Sequence, residues 1–166
     1  ERIDSDIADP YDLRRFCGKC KSQFDDALSE IKAGKKLGHW SWYFFPVAPY
    51  LVDGTERGSL KNRSWALRDK PPNDLRGDDA ARAFLSFEAD GVSLRHSYIA
   101  MMGAVAEQIK AGVSPLELVG VLDLPKLESS LRLFRRVSRN GFDPDVHRLC
   151  CRALKSIKRC NEDCER

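Results

Sequence analysis

Asp9-Pro10-Tyr11-Asp12-Leu13-Arg14-Arg15-Phe16-Cys17-Gly18-Lys19-Cys20-Lys21-Ser22-Gln23-Phe24-Asp25-Asp26-Ala27-Leu28-Ser29-Glu30-Ile31-Lys32-Ala33-Gly34 is the stretch that decides the fold class. Leu13, Phe16, Cys17, Cys20, Phe24, Ala27, Leu28 and Ile31 recur at intervals of three and four, the spacing of one apolar stripe on an α-helix. A strand cannot use that spacing, because its side chains alternate between faces with a period of two. Asp9-Pro10 reads as N-cap followed by a proline at the first helical position, with Asp12 in the first turn, and Gly34 ends the helix.

The same grammar returns after residue 78. Asp78 is placed to cap a helix through about Glu88. Ser93 precedes the stripe Leu94, Tyr98, Met101, Met102, Val105 and Ile109, and Gly112 follows it. Ser114-Pro115-Leu116-Glu117 is a capping box with proline at the first position, opening a short helix that ends near Leu122. Leu124, Leu127, Leu131, Phe134 and Val137 mark the next helix, closed by Asn140-Gly141. Asp143-Pro144 caps the last, with Val146, Leu149, Cys150, Ala153 and Ile157 on its apolar face. Six or seven helices and no hairpin are expected. The fold class is therefore all-α, a single compact domain over residues 11–158, with an N-terminal extension at 1–10 and a polar tail at 159–166.

Between these helical parts, residues 35–76 are irregular. Pro46, Pro49, Gly54 and Gly58 interrupt any long element, Arg63 to Arg68 suggests one helical turn, and Lys70-Pro71-Pro72-Asn73-Asp74 reads as an exposed loop. A long irregular segment in a compact domain is a place to look for function or a partner contact.

At 166 residues the chain is long enough for one real core. No run approaches the roughly 18 apolar residues of a membrane span. The formal net charge of +3 is too small to call for a nucleic-acid partner. The basic excess is concentrated from Lys126 to Arg166. The chain opens at Glu1 rather than Met, which fits a shortened chain or removal of a presequence and leaves room for an imported organellar subunit.

The six cysteines include Cys17-x-x-Cys20 and Cys160-x3-Cys164, pairs with metal-ligand spacing. Cys17 and Cys20, however, fall in register with the apolar stripe of the first helix, where free cysteine behaves as a small hydrophobe. Buried thiols are expected, with no metal, no cofactor and an exposed Cys164. This usage suits a reducing or mixed compartment.

Within the irregular segment, His39-Trp40-Ser41-Trp42-Tyr43-Phe44-Phe45-Pro46 admits three readings: core, ligand cleft or partner surface. As a cleft, Trp40 and Trp42 would stack on a planar ring and His39 would exchange a proton. Lys126, Ser129 and Ser130 would hold an anionic group, since Lys126 shares a helical face with each serine at i+3 and i+4, and Asp123 would lie beside them. As core, the same aromatics would anchor the segment against the helices.

Five segments in order resemble the domain-of-unknown-function family 1810. They are Tyr11-Asp12-Leu13-Arg14-Arg15-Phe16; Ala27-Leu28 through Gly34-Lys35-Lys36; His39-Trp40-x-Trp42-x-x-Phe45-Pro46; Ala80-Ala81-Arg82-Ala83-Phe84-Leu85; and Asp123-x-x-Lys126-Leu127-x-Ser129-Ser130-Leu131-x-Leu133-Phe134. The resemblance runs from about residue 11 to 155 and implies an all-α fold. It names no reaction. Val47 stands where the family usually has glutamine, Leu131-Arg132 replaces a Met-Thr pair, and the loop from Tyr50 to Gly77 is longer and more charged.

No carboxylate pair, phosphate loop or nucleophile motif accompanies His39, so an enzyme reading lacks its second residue. The final helix carries Arg148, Arg152, Lys155 and Arg159 on one face, which suits solvent or an acidic partner. Arg135, Arg136 and Arg139 would enlarge that patch if the last two helices lie side by side. The leading expectation is a non-enzymatic binding or accessory subunit that meets other proteins through the charged loop and basic final helix. The alternative is a protein or enzyme for a small nucleotide-like molecule, built on His39, Trp40 and Trp42.

Overall fold

The computed structural model describes residues 7–164, apart from the side chain of Cys164. The readings of Glu1 and of an exposed Cys164, with most of the N-terminal extension, lie outside the described residues. Eight helices form most of them: α1 (Arg14–Lys32), α2 (Ser41–Phe44), α3 (Leu60–Trp65), α4 (Asp78–Phe84), α5 (Leu94–Lys110), α6 (Pro115–Val119), α7 (Leu124–Val137) and α8 (Pro144–Cys164). The all-α expectation holds, and α8 carries the helix on through residues 159–164.

Two small hairpins correct the expectation of none. β1 (Leu51–Val52) pairs with β2 (Thr55–Glu56), and β3 (Glu88–Ala89) with β4 (Val92–Ser93), both antiparallel. Each turns on an Asp-Gly pair with both residues at positive φ: Asp53 and Gly54 at 52° and 77°, Asp90 and Gly91 at 55° and 77°. This is the backbone hand that matches strand twist, and Asp-Gly is its usual sequence. Two paired residues per strand are too few to produce a visible alternation.

Helix starts also differ in detail. The N-cap of the first helix is Leu13 rather than Asp9, and Pro10 lies before the helix instead of at its first position, although Asp9 still serves the helix start. Its carboxylate accepts the amides of Leu13 and Arg14 at 2.7 and 2.9 Å, while Asp12 sits at φ 54° and delays the helix to Arg14. The start of α4 is served by Asp69, which is buried and accepts the Ala80 amide at 2.9 Å, while Asp78 lies one residue inside the helix. That helix stops at Phe84, short of the expected Glu88, which instead opens β3. Short α3 starts earlier than expected, capped by the Ser59 hydroxyl. Ser93, Ser114 and Asp143 cap α5, α6 and α8 as read from sequence.

The core is built around α5, which packs on α1 and on α8, while α7 lies along α8 and touches α4. Leu94, Met101, Met102 and Val105 of α5 are fully buried, as are Leu127, Leu131 and Phe134 of α7. Phe134 stacks at 4.2 Å on Tyr98 and meets Phe84 edge-on at 5.4 Å. The aromatic segment folds as one helical turn whose rings enter this core. Trp40, Tyr43, Phe44 and Phe45 are buried, and Phe44 meets Phe24 of α1 edge-on at 5.4 Å. Burial of one such ring is worth about 2–3 kcal/mol, so the segment is anchored. The chain after α1 is pinned too, since the Lys36 amide donates to the Leu118 carbonyl at 2.7 Å.

Candidate functional site

The residues read as one ligand set in the sequence separate in space. Trp40 is 3% exposed and donates its indole N–H to Glu30 Oε1 at 3.1 Å, an oxygen that also accepts the Leu37 and Gly38 amides. It is an anchor of the core. His39 is exposed at the edge of the segment. Ser130 faces inward and is fully buried, its hydroxyl 3.3 Å from the Tyr98 hydroxyl. Trp42 is half-buried, and its indole N–H donates to Asn62 Oδ1 at 2.7 Å.

Lys126 and Ser129 remain at a surface cleft of about 480 Å³. One wall is α7, where Lys126, Ser129, Arg132, Leu133 and Arg136 present a single stripe. The opposite wall is the irregular segment: Val47 to Leu51, Glu56 and Arg57 of the first hairpin, and Asn62 and Arg63 of α3. Ser130, one position on from Ser129, turns through about 100° of helix and enters the core. Periodicity allowed either serine to join Lys126, and packing against Tyr98 selects Ser129 for the surface.

Asn62 joins the walls. Its side-chain oxygen accepts both the Trp42 indole and the Lys126 ammonium, the latter at 3.2 Å. The ammonium also sits 4.8 Å above the Trp42 ring, which carries Lys61 at 4.2 Å as well. Lys126 makes no ion pair among the described residues. The nearby Asp123 is taken by Lys36 at 2.8 Å. Burial pushes Lys126 below its ordinary value, opposed by Asp123 and assisted by Lys36. A half-buried ammonium on a neutral amide and a ring face has attraction left for an anion.

The rest of the cleft has the same sign. Its carboxylate, Glu56, is held by both terminal nitrogens of Arg68 at 2.6 and 3.0 Å, which lowers its proton affinity and neutralises its charge. Arg132 pairs with Glu128 at 3.4 Å and Arg136 with Asp78 at 2.6 Å. Arg57 and Arg63 make no ion pair among the described residues. At the mouth, Tyr50 is 63% and Leu122 88% exposed, so apolar surface adjoins the cations. Tyr50, Arg57, Asn62, Arg63, Arg132 and Arg136 were not singled out from sequence as ligand residues. The only signal was their place in the irregular segment and on the face shared with Lys126.

The basic residues of α8 form a different surface. Arg148, Arg152, Lys155 and Arg159 are exposed on the outer face, and Arg148 pairs with Asp145 on its own helix. Cys17 and Cys150 are buried, and burial pushes both thiols up to about 12. Cys20, Cys151 and Cys160 are half-buried and free. No group of three metal-ligating side chains comes together among the described residues. No helix among them is long and apolar enough to cross a membrane.

No curated protein matches the chain. Among solved structures it is similar to the conserved hypothetical protein Rv1873 from Mycobacterium tuberculosis. The two share 25% identity with a TM-score of 0.68, over 92% of this chain and 95% of that one. The family of proteins of unknown function DUF1810 matches residues 10–153, most of the chain, and the chain therefore belongs to the DUF1810 family.

Proposed function

We propose that this protein binds a small anionic molecule with a planar apolar part, a phosphorylated nucleoside in type, in the cleft between α7 and the segment 47–63. The observation that carries this reading is the Lys126 ammonium, half-buried on Asn62 and Trp42 without a carboxylate partner among the described residues. An entering phosphate would meet Lys126 and the Ser129 hydroxyl, with Arg57, Arg63 and Arg132 around it. Tyr50 at the mouth offers a face for a planar ring, the role read from sequence for Trp40 and Trp42.

Thermal unfolding with adenosine 5′-monophosphate, inorganic phosphate and adenosine as separate probes tests it. A ligand at a hundred times its Kd stabilises by about 2.7 kcal/mol, or about 5–10 °C for a domain of this size. The nucleotide is expected to raise Tm more than phosphate, and phosphate more than adenosine, with the gain lost in Lys126→Met. Equal or absent shifts with all three at millimolar concentration would remove the reading.

A second reading, an accessory subunit docking an acidic protein on α8, is favoured by the exposed row Arg152, Lys155 and Arg159. Native purification that recovers a stoichiometric partner, lost on charge reversal of that row, would support it. A solitary chain at every step would count against it.

A further inference from the structure

One turn of α8 carries a nucleophile and a base in contact. His147 and Cys151 lie four residues apart on the same helix, with Cys151 Sγ 3.6 Å from His147 Nε2. The other ring nitrogen, Nδ1, lies 3.1 Å from the Arg135 carbonyl of α7, with the Ser138 hydroxyl at 3.5 Å. A carbonyl only accepts, so Nδ1 carries the hydrogen and Nε2 presents its lone pair to the thiol. Nucleophile, base and orienting group thus follow one another in contact.

Cys151 also opens onto a groove of about 370 Å³ between α7 and α8. Its charged lining is Arg132 and Arg135 from α7 and Lys155 and Lys158 from α8, against a single carboxylate, Glu128, which is paired with Arg132. The adjacent Cys150 makes the contrast. It is fully buried, its Sγ 4.0 Å from the Tyr98 hydroxyl. Partly exposed cysteines in electropositive surroundings are the ones that react.

We propose that Cys151 is a reactive thiol, activated by His147, that undergoes thiol–disulfide exchange with an acidic disulfide of the glutathione type seated in the α7–α8 groove. As Sγ attacks one sulfur of the disulfide, its proton passes to His147 Nε2. The Cys151–glutathione S–S bond forms while the original S–S bond breaks, and the leaving sulfur takes the electron pair and then the proton from His147. One disulfide is consumed and one formed. The Cys151 thiol is oxidised and one glutathione thiol is released. The groove cations pair with the carboxylates of the incoming peptide.

Glutathione disulfide and cystamine, a cationic disulfide, serve as paired probes on the intact reduced chain, with site-resolved mass spectrometry following each cysteine in time. Glutathione disulfide is expected to modify Cys151 before Cys17, Cys20, Cys150 and Cys160, and faster than cystamine does. His147→Gln is expected to slow Cys151 by about a hundredfold or more, the lower end of what a positioned base supplies. Lys155→Glu/Lys158→Glu, at two exposed positions, keeps the test valid should His147→Gln misfold, and is expected to reverse the preference between the probes. Modification of Cys151 no faster than Cys160, or equal rates with both probes in wild type and in the charge-reversed chain, would overturn the proposal. A folded His147→Gln chain reacting at the wild-type rate would do the same.

Discussion

The ammonium of Lys36 lies 2.8 Å from the carboxylate of Asp123, with only 4% of the lysine side chain exposed. It ties the chain just before the aromatic turn to the N-terminal end of α7, and it also lies 4.8 Å over the Trp40 ring. This partly buried ion pair thus joins the approach to the aromatic turn to the helix that forms one cleft wall. Asp123→Asn keeps the shape and removes the charge, leaving an ammonium buried without its counter-charge. Breaking such a pair costs about 3 kcal/mol. Urea denaturation should show that loss as a lower midpoint at unchanged slope, and a loss under about 0.5 kcal/mol would mean that Gly38 and Trp40 suffice for Lys36.

Lys126 should separate binding from stability. Its ammonium is half-buried and unpaired among the described residues, so Lys126→Met removes a desolvation cost as well as a bond to Asn62. Stability is expected to stay within about 1 kcal/mol of wild type, while nucleotide affinity falls by about tenfold or more, as for one charge-assisted contact. Denaturation and calorimetry on the same sample check both halves.

The stability of the chain should fall in acid through identifiable pairs. Hydrogen bonds from Arg95 hold the Asp143 carboxyl below its ordinary value, with burial opposing, and Arg68 does the same for Glu56. A carboxyl whose folded value is depressed contributes fully above its unfolded value of about 4, and the contribution is lost as pH falls through the folded value. Asp143→Asn can keep the cap on the Val146 amide and lose the charge pair. Because Arg95 is 38% exposed and solvent screens the pair, the cost at pH 7 is expected at about 1 kcal/mol. The variant should also lose less stability than wild type between pH 5 and pH 2, which acid titration of Tm checks.

Gly77 admits no side chain. It sits at φ 79°, and a Cβ there would come within 2.7 Å of the Leu67 carbonyl oxygen and 2.8 Å of the Ala48 Cβ. Gly77→Ala combines left-handed strain with overpacking and is expected to cost about 3 kcal/mol. Ala48 lines the cleft, so the nucleotide should also bind more weakly to whatever fraction remains folded. Wild-type stability in this variant would show that the 47–49 segment yields easily.

Much of the fold was legible. The stripes on α1, α5, α7 and α8, with Ser93, Ser114 and Asp143 at their starts, follow from local rules acting over three or four residues. The hairpins at Asp53-Gly54 and Asp90-Gly91 were missed because two-residue strands leave only the turn as a signal. The cap of α4 was misread because Asp69 reaches it from eleven positions away, beyond the span of any local motif.

The candidate site was legible only in part. Lys126 and Ser129 stand at the cleft, while Trp40 and Ser130 are in the core and His39 is exposed apart from both. Sequence alone determined that this chain is helical, which face of each long helix is apolar, and that no long element crosses the segment from 35 to 76, because these depend on neighbours along the chain. Only the tertiary structure decided that Asn62 meets Lys126 from 64 positions away, and that Cys151 rather than Cys150 meets a base and a groove. Periodicity says that a residue turns inward or outward. Which distant groups it meets there is set by how the helices pack, and charge, desolvation and reactivity depend on those meetings.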